Sequence, residues 1–262
     1  MTGLLATFEK PTTKDFVWPC KWALDLGPVH FCANFVLLAV LLAFVSFLLF
    51  FFFALRKPKV VPGKLQLLAE LGVEFVKENI ALQMIGPEGI VFMALLCTLF
   101  FYIFFGNIFE VIPLVNFSMN SRIAFPIVLA TIAWVTYNTV GIRHHGFFGY
   151  LKMVMFPPGV PIALVPLIAL IEFISTIVIR PITLSVRLFA NMVAGHFLLA
   201  VFFLGTIALF TSVNKILILF GVFSGAMAIV LVGFEIFVSV LQAFIFAVLT
   251  ASYIGGAAAS EH

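Results

Sequence analysis

Apolar residues run almost unbroken through long stretches of this chain, and polar ones gather mainly between them. The first run, about Phe31 to Leu55, ends at Arg56-Lys57-Pro58-Lys59. The second, about Gly89 to Val115, ends near Pro113, and the third, Ile123 to Ile142, ends at Arg143-His144-His145. After Pro157-Pro158-Gly159-Val160-Pro161 a fourth continues to about Phe210, where Asn214 and Lys215 interrupt it. A fifth extends from Ile216 to Ile254, ahead of a small-residue tail, Gly255 to Ser260. About 20 apolar residues carry a helix across the hydrocarbon, so the first three runs each predict one crossing. The last two are roughly twice that length and predict helices that are tilted, kinked or broken, with Pro181 as a candidate kink.

The segment from Pro62 to Gly86 has a different pattern. Leu65, Leu68, Leu71, Val73, Phe75 and Val76 alternate with Lys64, Glu70, Glu74, Lys77 and Glu78. This predicts an amphipathic helix on the membrane surface or against a partner, a soluble connecting helix being the other reading. The prediction is therefore an all-α integral membrane protein of about five membrane-embedded helices plus one amphipathic surface helix. Residues 1–262 form a single membrane domain. Within it, 1–30 is an outer-side segment, 62–86 the surface helix, and 160–254 a long, tilted helical hairpin.

Composition fixes the solvent. Apolar residues make up 64% of the chain and charged ones 10%, where a soluble domain has about half and a quarter. The net charge of +3 is dispersed, with no basic run, which argues against a nucleic-acid partner. Arg56, Lys57, Lys59, Lys64, Lys77, Arg143 and Lys152 outnumber Lys10, Lys14, Lys21, Arg122 and Lys215 on the other side. That bias puts the N-terminus outside and the C-terminus inside. Met1 to Asp15 lacks the apolar core of a cleaved signal peptide. Cys97 reads as a packing residue, and a Cys20–Cys32 disulfide requires both to face an oxidising side. Phe47 to Phe53 reads as lipid-facing bulk. The histidines are not paired at depth as bis-histidine haem requires, no cluster has metal-site spacing, and no phosphate-binding loop occurs, so no cofactor or metal is expected.

Six ionisable residues fall inside apolar runs: Glu110, Glu172, Arg180, Arg187, His196 and Glu235. Each is expensive against lipid, so each should meet protein, water or a countercharge. Arg180, Thr183, Arg187, Asn191 and Ala194 recur at steps of three or four and share one helix face, with His196 nearly opposite. Glu235, Ser239 and Gln242 form a second polar stripe, and the two stripes predict the walls of a wet path. Glutamate and histidine can pass protons, whereas arginine does not release one. Arg187 is suited to be a fixed positive barrier. Ala190, Ala194 and Gly195 would let another helix approach closely.

The stretch Arg180-Pro181-Ile182-Thr183-Leu184-Ser185-Val186-Arg187-Leu188-Phe189-Ala190-Asn191-Met192-Val193-Ala194-Gly195-His196 resembles the signature of subunit a of F-type ATP synthases. Glu235 with Gln242, and Asn107-Ile108-Phe109-Glu110-Val111-Ile112-Pro113, support the resemblance. It implies that Arg187 is the essential arginine facing a ring of c subunits, with Asn191 and Gln242 as polar neighbours. It also implies that His196 and Glu235 line the access path from the outer side, near Asn107 and Glu110. Ser239, from the polar stripe, and Glu172, from the charges at depth, are further candidates for the proton path. The stretch between Glu172 and Pro181 is one residue longer than the commoner pattern, so a role does not carry over directly to Glu172.

The implied function is an ion-conducting stator subunit with no catalytic site of its own, offering two offset half-channels to the c ring. Protons are the expected ion ahead of sodium. The implied partners are the c ring, b-type peripheral stalk subunits, the rest of the synthase and the lipid bilayer. A bacterial plasma membrane is the first expectation and a mitochondrial inner membrane the second. The alternatives are a self-contained transporter or channel that holds an anion between Arg180 and Arg187, and a purely structural anchor.

Overall fold

A computed structural model of the chain describes residues 22–26, 29–33, 35–112, 119–156, 164–211 and 215–259. A short antiparallel hairpin comes first, β1 (Trp22–Leu26) pairing with β2 (Val29–Ala33). The first apolar run thus begins as strand. Its opening residues Val29, Phe31 and Ala33 alternate with His30 and Cys32, a period of two rather than 3.6. Helix α1 (Phe35–Leu55) follows, 21 residues without a charged side chain. The Cys20–Cys32 pairing lies outside the described residues, and Cys97 is a free thiol.

Helix α2 (Lys64–Val76) starts after Gly63 and continues through a π turn, Lys77–Leu82, to a stop at Gly86, whose φ of 90° suits glycine. Its surface divides in three. Ala69, Val76 and Ile80 are buried, Leu65, Leu68, Leu71 and Phe75 are exposed, and the charged residues lie between. The face turned into the protein is therefore mostly not the leucine face read from the sequence, because the small Ala69 and the flat Gly72 permit closer contact with the next helix. The α-carbon of Gly72 rests on the Phe101 ring.

A 3-10 turn (Pro87–Phe92) leads into α3 (Met93–Ile108). Phe50 and Phe51 of α1 stack against Phe101 and Phe105, with Phe51 and Phe101 edge to face at 4.9 Å. Only part of the phenylalanine-rich stretch is thus directed outward, Phe52 and Phe53 being exposed. Without water to expel, such helix contacts inside a bilayer depend on close van der Waals fit.

Helix α4 (Ala124–Met155) outlasts its apolar run by more than three turns, and it is two helices joined at Gly146 (φ 72°, ψ 164°). The chain doubles back there. The Tyr150 ring packs on the α-carbon of Gly141, and its hydroxyl donates to Asn138 Oδ1 at 3.1 Å. Hydropathy alone marked Arg143-His144-His145 as the end because these polar residues interrupt the apolar run, whereas helix resumes beyond the reversal as far as Met155.

The fourth run is α5 (Val165–Ile174), a π turn at Ser175–Ile179, and α6 (Arg180–Phe210). Pro181 has no N–H to offer the preceding turn, and the backbone responds with the π turn ahead of it. Helix α7 (Lys215–Ala258) runs 44 residues, about 66 Å against a hydrocarbon core of about 30 Å. It continues through Gly255 to Ala258 instead of ending at Ile254, because Gly255 brings its backbone onto the carbonyl of Met84, just beyond the π turn that follows α2. Four described helices, spanning 87–108, 124–155, 165–210 and 216–258, are long and apolar enough to cross a membrane. With α1 they make an all-α multi-pass membrane protein whose core lies where α3, α4, α6 and α7 meet, around Leu96, Ile103, Leu188 and Phe246.

Candidate functional site

Two polar centres lie at different heights along α6. The upper one is built from three helices. Glu110, in the turn that ends α3, is buried, and its Oε1 stands 3.6 Å from Nδ1 of His196 on α6. Glu235 of α7 is also buried, its carboxylate against the α-carbon of Gly195. Glycine is what allows this approach, since a Cβ at position 195 would occupy the same space. Beneath Glu110, the side chain of Asn107 accepts a 2.6 Å hydrogen bond from Asn120, both fully buried. A cavity of about 450 Å³ adjoins this centre, lined by Glu110, His196, Ala200, Phe203 and Val232 among others. Its lining is mostly apolar and includes the Glu110 carboxylate and the His196 imidazole, both titratable.

The lower centre is Arg187, about 13 Å along α6 from His196 and half a turn round the axis. Arg187 is half-buried at the edge of an open face formed by Thr183, Ala190, Asn191 and Ala194, all exposed. Its Nη2 is closed off from solvent and meets no hydrogen-bond partner among the described residues, and no carboxylate among them pairs with it. Gln242 of α7 donates to the Arg187 backbone carbonyl at 3.4 Å and so fixes the helix crossing at this level. The Ser239 hydroxyl bonds the Glu235 carbonyl within its own helix.

The two polar stripes expected to face each other as walls of one path do not. Glu235, Ser239 and Gln242 are buried inside the protein, whereas the Arg187–Asn191 stripe looks outward. The helical offset between Arg187 and His196 separates a closed centre from an open one. Arg180, the second arginine of the outward stripe, lies over the Tyr253 ring at 4.9 Å rather than against a carboxylate. Glu172, on α5, is half-buried and has no side-chain partner among the described residues, so the structure does not bring it into either centre.

The model of the family described as ATP synthase A chain matches residues 35–255. The chain belongs to this family. Among its relatives, ATP synthase subunit a of Parafrankia sp. is 44% identical over 258 residues, covering 97% of this chain and 85% of the relative. Those of Rhodococcus erythropolis and Streptomyces lividans are 43% and 40% identical, covering 94% and 97% of this chain and 89% of each relative. The ATP synthase A chain match spans every residue of both polar centres.

Sequence reasoning missed Asn120, Tyr137 and Tyr253. Asn120 sits in a polar loop where asparagine is unremarkable, and the two tyrosines fall inside apolar runs where a phenol reads as bulk. The signal that was available is Pro181 itself, which marks a carbonyl in need of a donor without saying which residue supplies it. A proline inside a long helix leaves carbonyls without donors, and a buried hydroxyl is the group that could meet one.

Proposed function

We propose that this chain is the ion-conducting stator subunit of an ATP synthase membrane sector, moving protons between two offset half-channels and a ring of c subunits. The observation that carries the reading is Arg187, whose guanidinium has no carboxylate partner among the described residues and borders an open face of small residues. A cation so placed needs a countercharge to offset desolvation, and Ala190 and Ala194 leave room for a neighbouring helix to bring one. The partner is a carboxylate of the c ring.

Protons enter from the outer side through the cavity at Glu110 and His196, with Glu235 completing the relay and Asn107, Ser239 and Gln242 as its polar wall. Asn191 lies beside Arg187 where the proton leaves for the ring. Protonated, the c-ring carboxylate is neutral and turns into lipid; ionised, it pairs with Arg187. Arginine serves because it stays charged throughout and blocks direct passage from one half-channel to the other. The driving force is about 2.3 kcal/mol per proton per 100 mV. Glu172 lies about 22 Å along the helix before Arg187, apart from both centres.

The segment 1–30 then lies outside and the C-terminus inside, with 62–86 at the inner surface of one membrane domain and 160–254 forming the ion path. A b-type stalk holds it against the ring. Bacterial relatives support a bacterial plasma membrane. The test is Arg187→Ala in the assembled enzyme, where proton-driven ATP synthesis should be lost. Full synthesis would overturn the reading, as would flux of an anion through the purified chain alone in liposomes.

A further inference from the structure

The π turn at Ser175–Ile179 leaves one carbonyl without a helical donor. The N–H of Arg180 donates to Ser175 O, five residues back, and is therefore withdrawn from Thr176 O, its α-helical acceptor. The next donor in π register would be the N–H of residue 181, but that residue is proline. Thr176 is buried, where an unmatched carbonyl is costly. The hydroxyl of Tyr137, from α4, donates to that carbonyl at 2.6 Å, and Tyr137 is itself 2% exposed. Its ring meets Tyr253 edge to face at 5.6 Å, and Tyr253 in turn carries the Arg180 guanidinium.

The consequence is orientation. A π turn takes up one residue more than an α turn, and moving it rotates the residues it passes by about 100°. Arg180 begins the helix after the turn, and Arg187 lies two turns further on the same face. We propose that Tyr137 is a positioning residue for this arginine face: by holding Thr176 O outside the α-helical ladder, it locks the π turn and sets the azimuth of Arg180 and, through it, of Arg187. The functional part of this inference rests on the stator reading above; the structural part does not.

The experiment uses the assembled synthase with Tyr137→Phe, which keeps the ring and removes the hydroxyl, alone and combined with deletion of Ser175. That deletion removes the extra residue and returns the Arg180 N–H to Thr176 O. Coupled ATP synthesis should fall roughly tenfold in Tyr137→Phe, the size of effect expected when a buried acceptor loses its donor. It should fall no further when Tyr137→Phe is added to the deletion. An equal loss in both backgrounds, or no loss in the first with the π turn unmoved, overturns the inference and leaves Tyr137 as a packing residue. A density map of the Tyr137→Phe complex separates the two readings. Arg180 should leave the Tyr253 ring as the π turn shifts. An unchanged turn overturns the positioning role, whereas a shifted turn with undiminished synthesis overturns the stator reading of the arginine face. If Tyr137→Phe does not assemble, while the same change in the deletion background does, the locking role is supported; failure in both overturns it.

Discussion

The carboxylate of Glu235 on α7 occupies the space beside the α-carbon of Gly195 on α6 where any other residue would carry its Cβ. Two helices are thereby brought close enough for an acidic side chain to sit inside the bundle next to His196, the residue that follows Gly195. Replacing Gly195 with alanine should push Glu235 out of place. Overpacking of this kind is worth about 1–3 kcal/mol, so ATP-driven proton pumping in inverted vesicles should drop about tenfold or more. Glu235→Asp, one methylene shorter, should recover part of the loss in the Gly195→Ala background while being harmful by itself.

Glu110 and His196 are expected to act as a unit. They approach to 3.6 Å from different helices, and Glu110 is buried. Glu110→Gln and His196→Asn should each slow passive proton flux through the membrane sector. The double variant should be hardly slower than the worse single one, giving a coupling energy of about 0.5–3 kcal/mol in a double-mutant cycle. Additive losses would mean that the two groups serve separate routes.

Asn120 should matter more than its position in a polar loop suggests. Its side-chain amide donates to Asn107 at 2.6 Å with both residues fully buried. Asn120→Asp keeps the shape and replaces the donor with an acceptor facing an acceptor. The expected destabilisation is about 1–3 kcal/mol, read as a lower thermal midpoint of the purified complex. Asn120→Leu also removes the donor and should lower it too.

The sequence disclosed most of the spanning helices and both arginines, because long apolar runs and rare charges within them are strong signals. His196 and Glu235 were legible for the same reason, and the distance of His196 from Arg187, on the same helix, followed from helical spacing alone. What stayed hidden depends on backbone proximity. The reversal at Gly146 is invisible to hydropathy, since Phe147 and Phe148 continue an apolar pattern while the chain turns back. The inward face of α2 is set by Ala69 and Gly72, whose smallness counts only once Phe101 is known to lie opposite. The partner of the Thr176 carbonyl lies 39 residues away. The expectation of two facing polar stripes failed because helical periodicity gives angles within one helix and not the rotation of one helix against another.

Reversal at Gly146 can be tested directly. Its φ of 72° with ψ of 164° is a conformation adopted essentially by glycine alone and costs other residues about 1–3 kcal/mol, and a Cβ there would otherwise meet open space. Gly146→Ala should therefore reduce stability by that backbone term alone. Gly141→Ala should be worse, since its Cβ would overlap the Tyr150 ring and undo the contact that holds the returning segment. Comparing thermal midpoints of the two variants ranks the effects, and equal midpoints would show that Tyr150 can move aside.

The end of α7 offers a prediction with its control one residue away. The α-carbon of Gly255 lies against the carbonyl oxygen of Met84, so a Cβ would meet backbone that cannot rotate away, whereas the same addition at Gly256 meets nothing within 4 Å. Both glycines are helical. In a helix interior alanine is favoured over glycine by about 0.5–1 kcal/mol. Gly256→Ala should therefore leave the chain as stable as before or slightly more so. Gly255→Ala should separate the end of α7 from the α2 segment and lower the amount of the chain recovered from membranes. Quantifying both variants at equal expression decides the matter: similar recovery of the two would mean that α7 does not pack on Met84, and that the helix extends past Ile254 for some reason other than this contact.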